Sequence, residues 1–206
     1  HIITVEDPIE FVHQSHNCIV NHREVGLHTQ TFSSALRGAL REDPDIILVG
    51  ELRDLETISL AIEAASTGHL VFGTLHTSSA PKTVDRIIEV FPSTEQAQIR
   101  STLSDGLRAV VAQVLFKRVD QKGRCAAMEI LIATPAVRNL IREGKTHQIP
   151  SMIQTGKTYG MQLLDDAIMD LYKKRWISAE EAYAKSNNKG IFRPFLKTQP
   201  ADFTEA

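Results

Sequence analysis

The chain has 206 residues, of which 42% are apolar and 23% charged, and its formal net charge at pH 7 is -2. This apolar content can form a buried core, which disfavours disorder, and the lack of a basic surplus disfavours nucleic-acid binding. The longest apolar runs fall far short of the roughly 20 residues that cross a bilayer. Two cysteines, Cys18 and Cys125, without CxxC spacing suit a reducing compartment, so we expect a cytoplasmic protein.

The first two thirds of the sequence alternate short β-branched runs with helical patterns, which is typical of a largely parallel sheet flanked by helices. The apolar runs predict strands at residues 2–5, 46–49 and 70–75, and a less regular one at 19–25. Apolar residues at helical spacing predict helices near residues 32–40 and 55–65, and Gly68 ends the second. The sequence therefore predicts an α/β fold.

Beyond Pro81 the pattern becomes mainly helical. It predicts helices at residues 83–91 and 94–118, a strand at 126–132, and then helices at 135–143, 147–154 and 163–172. A last helix begins at a capping box formed by Ser178 and Glu181, and the tail after Gly190 is expected to be irregular. We expect two domains, an α/β core over residues 1–133 and a helical subdomain with an irregular tail over 134–206.

A carboxylate and an arginine follow the strand at residues 46–49. Glu51 and Arg53 come directly after this strand, and ligands of open α/β sheets bind beyond the carboxyl ends of the strands. A carboxylate there could orient an attacking water or hold Mg²⁺ through water, as phosphoryl transfer requires. A solvated turn after an ordinary strand explains the segment equally well.

Two other strands also end in polar residues. Glu6 and Glu10 belong to an acidic cluster after the first strand, which either surrounds Mg²⁺ or forms a solvated turn. His76 follows the strand at residues 70–75 and could donate to a phosphate at the same edge. His69 precedes that strand, and at about 3.3 Å per residue it lies roughly 20 Å away. We therefore expect a structural or subunit-interface role for His69.

Two further patterns imitate functional motifs. Residues 155–158 copy the end of a phosphate-binding loop, but Ser151 stands where that motif needs glycine, and no strand is predicted before it. His13, His16, Cys18 and His22 offer soft-metal ligands within ten residues, although a surface loop accounts for them as well. We favour neither motif.

Three segments, in this order and at this spacing, resemble the secretion and pilus ATPase superfamily. Residues 5–10 resemble its Asp box, residues 41–54 its Walker B motif and residues 67–77 its His box. A fourth segment is similar to the AIRNLIRE motif of the PilT-type pilus retraction ATPases, with valine in place of one isoleucine. Its residues are Ala136, Val137, Arg138, Asn139, Leu140, Ile141, Arg142 and Glu143.

This resemblance implies a RecA-like P-loop ATPase core followed by a small helical subdomain, and a homohexamer. It implies hydrolysis of ATP with Mg²⁺, which drives type IV pilus retraction and twitching motility. The implied partner is the pilus platform protein of the inner membrane. The resemblance also implies a cytoplasmic protein that is peripheral at this membrane and binds no nucleic acid. The open alternatives are a pilus-assembly or type II secretion ATPase and a non-catalytic oligomerisation module.

The resemblance also implies roles for individual residues. Glu51 matches the catalytic glutamate, and His76 and His69 match the His-box pair. Glu6 and Glu10 match the family's acidic residues that hold the metal through water. His76, Arg41 and Arg53 match residues that act on the γ-phosphate. The family's Walker A loop is expected upstream of His1. Without its backbone amides and lysine, we expect this chain alone not to bind ATP tightly and to be inactive.

Overall fold

The computed structural model describes residues 1–198 and divides into two compact units. The first comprises His1–His76, Thr83–Leu107 and Arg138–Thr146. The second comprises Thr77–Lys82, Arg108–Val137 and, within the described residues, the chain from His147 onward. The domain boundary predicted between residues 133 and 134 stays a prediction.

A parallel sheet with the strand order β2-β1-β3-β4 forms the centre of the first unit. Its strands are β1 Ile2–Glu6, β2 Val20–Glu24, β3 Ile46–Val49 and β4 Leu70–Gly73. Val5 of β1 pairs with Val49 of β3, which pairs with Gly73 of β4. All four carboxyl ends therefore lie at the same edge, and the predicted α/β fold with a parallel sheet is confirmed.

Two helices connect these strands, α1 Phe32–Ala39 between β2 and β3 and α2 Leu55–Ser66 between β3 and β4, and two follow β4, α3 Ala80–Glu89 and α4 Gln96–Gly106. Thr31 begins α1 with a capping box, and the Asp54 side chain accepts a hydrogen bond from the Thr57 amide at 2.9 Å at the start of α2. The apolar faces of α1 and α2 pack on β3. The buried residues of this core are Leu36, Ile47, Val49, Leu60 and Ala64.

The helix predicted for residues 94–118 is wrong in its second half. The helix α4 ends at Gly106, and the strand β5 Ala109–Lys117 pairs antiparallel with β6 Arg124–Ile132. Along β5, Val110 and Phe116 are buried, while Val111 and Leu115 are exposed. Both faces of β5 are apolar, which conceals the twofold period of a strand and leaves its β-branched valines as the remaining signal.

From residue 135 the described chain forms helices joined by short loops, as predicted for the part before Gly190. The helices are α5 Pro135–Arg142, α6 Ile149–Thr155, α7 Leu164–Lys173, α8 Ala179–Lys185 and α9 Lys189–Phe192, with 3₁₀ turns at Thr146–Gln148, Lys157–Tyr159 and Arg193–Phe195. Ser178 caps α8 by accepting the Glu181 amide at 3.1 Å. None of the helices in this described part of the chain or before it is long and apolar enough to span a membrane.

The second unit has an apolar core between the β5-β6 hairpin and the last helices. Its buried residues are Phe116, Ala127, Leu164, Ala167, Ile168, Leu171, Ile177, Ala182 and Phe192. Because Phe192 lies in this core, the tail predicted to be irregular after Gly190 begins with ordered structure. The rest of that tail, residues 199–206, lies outside the described residues.

Candidate functional site

Charged side chains collect at the carboxyl edge of the four-stranded sheet. Glu6 and Glu24 are the last residues of β1 and β2. Glu51 follows β3 closely along the chain, and His76 follows β4. Parallel pairing in register brings these strand ends to one edge, which is where open α/β sheets bind ligands.

The Glu51 carboxylate lies at the centre of this edge and has two partners. Its Oε2 atom is 2.5 Å from Nε of Arg53 and 3.4 Å from Nε2 of His76. The Glu51 side chain is only 11% exposed, whereas that of Arg53 is 67% exposed and that of His76 88%. The structure thus brings together three of the predicted site residues. Because both partners are exposed, an incoming anion can reach them without disturbing the core.

Neighbouring strands hold the backbone around Glu51 from both sides. The Gly50 amide donates to the Val5 carbonyl at 2.7 Å, and the Thr74 hydroxyl donates to the Gly50 carbonyl. The Leu52 amide donates to the Thr74 carbonyl at 2.9 Å. A Cβ atom on Gly50 would lie 3.1 Å from both the Cα of Glu6 and the carbonyl oxygen of Val5. Glycine therefore allows the end of β3 to lie directly against the end of β1.

Glu6 presents a buried carboxylate beside Glu51's strand. Its Oε2 accepts the Glu10 amide at 3.4 Å, whereas its Oε1 has no hydrogen-bond partner, the one such buried side-chain atom within residues 1–198. Burying a carboxylate oxygen without a donor is costly, and a cation would offset that cost. The side chain of Glu10 is exposed, so its contact with Glu6 is through the backbone.

The donors at this edge fit the magnesium prediction. Mg²⁺ prefers oxygen ligands and is commonly held by one or two carboxylates together with phosphates and water. The described residues contain no group of three or more His, Cys, Asp or Glu side chains that could enclose a metal ion. Glu6, whose Oε1 accepts no hydrogen bond, therefore suits a shared site of this kind and not an all-protein cage.

Sequence reasoning missed the contact between His22 and Glu6. His22 lies opposite Thr4 in the pairing of β1 with β2, and its Nδ1 is 2.9 Å from Oγ1 of Thr4 and 3.6 Å from Oε1 of Glu6. Its Nε2 lies 3.1 Å from the carbonyl oxygen of His13. The sequence contained no signal for this contact, because the register of β2 against β1 depends on pairing across a long loop.

Neither of the imitated motifs is formed. His13 and His22 have stacked rings whose centroids are 6.0 Å apart, Cys18 is exposed, and these residues form no metal-binding group in the described chain. Gly156 follows helix α6 and not a strand, and a Cβ there would lie 2.8 Å from the Met152 carbonyl. Lys157 pairs with Asp166 at 3.1 Å. This segment lacks the geometry of a phosphate-binding loop.

His69 and Arg41 lie away from this edge. His69 precedes β4, and its Nδ1 is 3.0 Å from the carbonyl oxygen of Ala64 at the end of α2. Arg41 precedes β3 and is exposed, and the carbonyl of the next residue, Glu42, lies 3.3 Å from the ring of His1, which precedes β1. Both residues thus lie at the amino edge of the sheet. Within one chain, Arg41 does not join Glu51, and its predicted role stays a prediction.

The segment similar to the retraction motif lies in and directly after helix α5, and its apolar and polar residues lie on different faces of the helix. Val137 and Ile141 are fully buried, Leu140 is half-buried, and Ala136 is exposed. The polar residues of the segment, which lie on the other faces, are Arg138, Asn139, Arg142 and Glu143. The Lys145 ammonium and the Asn139 amide bond to the Glu143 carboxylate, and they hold its pKa below the ordinary value.

Known proteins are similar to this chain over most of its length. A family model described as type II/IV secretion system protein matches residues 1–193. The type IV pilus retraction ATPase PilT of Pseudomonas aeruginosa is 61% identical over 186 residues, which are 90% of this chain and 54% of that protein. A twitching motility protein of Neisseria gonorrhoeae is 57% identical over 188 residues, which are 91% of this chain and 50% of that protein.

A solved structure has the same fold. The crystal structure of the pilus retraction motor PilT with bound ADP superposes with a TM-score of 0.85 at 47% identity, covering 93% of this chain and 54% of that one. The chain spans about half the length of the curated relatives that it matches.

Proposed function

The chain belongs to the type II/IV secretion system protein family, and from this premise we propose that the intact protein is an ATPase that powers type IV pilus retraction and twitching motility. The observation that carries the proposal is the nearly buried Glu51 carboxylate at the carboxyl edge of the sheet, between exposed Arg53 and His76. The 61% identity to a pilus retraction ATPase favours retraction over the other reactions of the family.

Transfer of the γ-phosphoryl group to water needs a positioned water and compensation of the charge on the phosphate oxygens. Glu51 orients the water and accepts its proton, and its limited exposure strengthens the electrostatic interactions that it makes. Arg53 suits phosphate, because its guanidinium can donate two parallel hydrogen bonds and stays charged. When Arg53 turns to the γ-phosphate, it leaves the Glu51 oxygen free for the water, and His76 donates from the loop after β4.

Glu6 and Glu10 are the residues that would hold Mg²⁺ through water, and the lack of a hydrogen bond to Oε1 of Glu6 supports this role. When bound, Mg²⁺ neutralises charge that develops on the phosphates. We place the phosphate-binding loop in the part of the relatives' length that this chain does not span. ATP binding is accordingly proposed for the intact protein.

Further proposals concern the assembled state. We propose a homohexamer in which Arg41, which does not reach Glu51 within its own chain, acts on the nucleotide of a neighbouring subunit. The remaining proposals follow the resemblance: a cytoplasmic protein, peripheral at the inner membrane, that acts on the pilus platform protein and binds no nucleic acid.

Deletion of the gene tests retraction against assembly. We expect cells without the protein to carry excess pili and to lose twitching, because pili still form but are not withdrawn. Complementation with the intact gene should restore both properties. Cells without pili would instead identify an assembly ATPase, and unchanged piliation would contradict both roles.

Hydrolysis by purified protein tests the site itself. The 206-residue chain is compared with the intact protein for Mg·ATP turnover and nucleotide binding. We expect both activities in the intact protein and neither in the short chain, because we place the phosphate-binding loop outside residues 1–206. Turnover by the short chain would show that residues 1–206 contain a phosphate-binding element which this proposal does not include.

A further inference from the structure

The end of helix α4 needs positive charge from another element. Its last turn contains no basic residue, and Leu107, with φ -60° and ψ 131°, ends the helix in an extended conformation. The last carbonyl groups of a helix have no donor within it and carry the negative end of the helix dipole. Asp105 adds a further negative charge to this turn.

Two arginines of α5 supply both the donors and the charge. Nη1 of Arg138 donates to the backbone carbonyl of Asp105 at 3.0 Å, and Nη2 of Arg142 donates to the Asp105 carboxylate at 2.9 Å. Residues four positions apart lie on the same face of a helix, so both arginines reach the same partner residue. A cation is favourable at a helix C-terminus, and here each arginine satisfies a different group of Asp105.

The buried face of α5 prevents the arginines from turning away together. Val137 and Ile141 are fully buried, one residue before Arg138 and one before Arg142. A roll of the helix that removed the arginines from Asp105 would therefore expose apolar surface to water. The contacts of Asp105 thus fix one orientation of α5.

These contacts lie where the chain passes between the two compact units. The chain leaves the first unit after Leu107 and returns to it at Arg138. Asp105 lies just before the first crossing, and Arg138 and Arg142 lie at and just after the second. All three residues belong to the first unit. Their contacts therefore hold the segment that ends at Leu107 against the segment that begins at Arg138, within that unit.

We propose that Asp105 is a positioning residue that clamps the two chain crossings together and orients helix α5 through Arg138 and Arg142. The two arginines of the retraction-like motif thus act inward, on α4, and leave Asn139 and Glu143 as the outward polar residues of the segment. The functional part of this inference rests on the proposed function, because it assigns α5 a role in retraction.

Hydrogen exchange in the intact protein, followed on peptides that cover residues 135–143, tests the clamp. We expect Asp105→Ala to lower protection of α5 by about 2- to 5-fold, the range for one partly exposed ion pair. Adding Arg138→Gln removes the carbonyl contact and should lower protection by about 10-fold in total. Asp105→Glu keeps a carboxylate and should preserve protection, and Gln98→Ala, at an exposed position of α4, is the control.

Twitching and hydrolysis then test the positioning role. We expect Asp105→Ala to impair twitching while turnover of Mg·ATP stays within about twofold, and Asp105→Glu to restore twitching. Unchanged protection of α5 in the double variant would overturn the clamp, and normal twitching with loosened α5 would overturn its role in retraction. If the unsubstituted intact protein hydrolyses no ATP, it is the proposed function that fails, while the exchange result still decides the clamp.

Discussion

Both compact units contain a buried glutamate, and the partners of the two carboxylates differ. In the first unit, Glu51 is paired with the exposed side chains of Arg53 and His76. In the second unit, Glu129 on β6 is 4% exposed, and its Oε1 accepts the backbone amide of Ala80 at 2.7 Å. An exposed side chain can turn to another anion, whereas a helix amide cannot leave without unwinding the first turn of α3. The partner therefore distinguishes a carboxylate available for chemistry from one committed to the fold.

The same distinction separates the two histidines that flank β4. His76 lies against the Glu51 carboxylate and is 88% exposed, whereas His69 is bonded to the Ala64 carbonyl at the end of α2. The residue types are identical, and the edge of the sheet decides their surroundings. The following substitutions test this comparison.

Glu51→Gln should have the largest effect and should act on turnover. The amide has the same shape but cannot accept a proton, so we expect hydrolysis by the intact protein to fall about 10²- to 10⁴-fold. The free energy of unfolding should change by less than about 1 kcal/mol, because the partners of Glu51 are exposed. Steady-state hydrolysis and urea denaturation measure the two quantities, with Glu63→Gln on the exposed face of α2 as the control. Retained turnover would rule out Glu51 as the catalytic residue.

Glu129→Ala should act on stability instead. It leaves the buried amide of Ala80 without an acceptor, which costs about 1–3 kcal/mol in the free energy of unfolding. Turnover per folded molecule should be unchanged. The control is Glu180→Ala, at an exposed position in the first turn of α8, where removal of the charge should change the stability little. A loss of turnover in fully folded Glu129→Ala protein would place Glu129 with the chemistry and end the contrast.

Substitution of the two histidines should show the same contrast between an effect on turnover and an effect on stability, with smaller magnitudes. His76→Ala should lower kcat/KM for Mg·ATP by about tenfold, which corresponds to about 1.4 kcal/mol of lost transition-state stabilisation. His69→Ala should instead cost about 0.5–1.5 kcal/mol of unfolding free energy, the worth of its bond to the Ala64 carbonyl. Nucleotide titrations and thermal unfolding distinguish the two results. Equal losses of nucleotide affinity in both variants would contradict the placement of the histidines at opposite edges.

A pH-dependent contribution from Glu181 should be the smallest effect. Lys185 donates to the Glu181 carboxylate at 2.7 Å, and this bond, helped by the Lys117 amide, holds the pKa of Glu181 below its ordinary value of 4.5. A lowered pKa in the folded state adds stability above the ordinary value and loses it as the pH falls below it. We expect Glu181→Gln to reduce the loss of stability between about pH 5 and pH 3 by less than about 1 kcal/mol.

Denaturation of the two proteins at several pH values measures this difference. If the free energy of unfolding falls equally steeply between pH 5 and pH 3 in the unsubstituted protein and in Glu181→Gln, the bond to Lys185 adds no stability. Loss of turnover near neutral pH would place Glu181 among the chemical carboxylates, against the contrast between the two units.

Much of the first unit could be predicted because its signals are local. The β-branched runs before Glu6, Glu51 and His76 identify three strands, and parallel pairing places their carboxyl ends at one edge. The placement of His69 before β4 and of His76 after it follows from the predicted strand, although β4 ends at Gly73 and not at residue 75. The helix predicted for residues 94–118 failed at β5, because a strand that is apolar on both faces has no visible period.

The sequence by itself determined which residue stands at each end of the parallel strands and, apart from β5, which segments form helices or strands, since these depend on neighbours within a few positions. Tertiary structure decided the partners: His22 beside Glu6, the Ala80 amide on Glu129, Arg138 and Arg142 on Asp105. These contacts join residues that are distant in the chain, and packing selects them by burying apolar faces, which no short segment encodes.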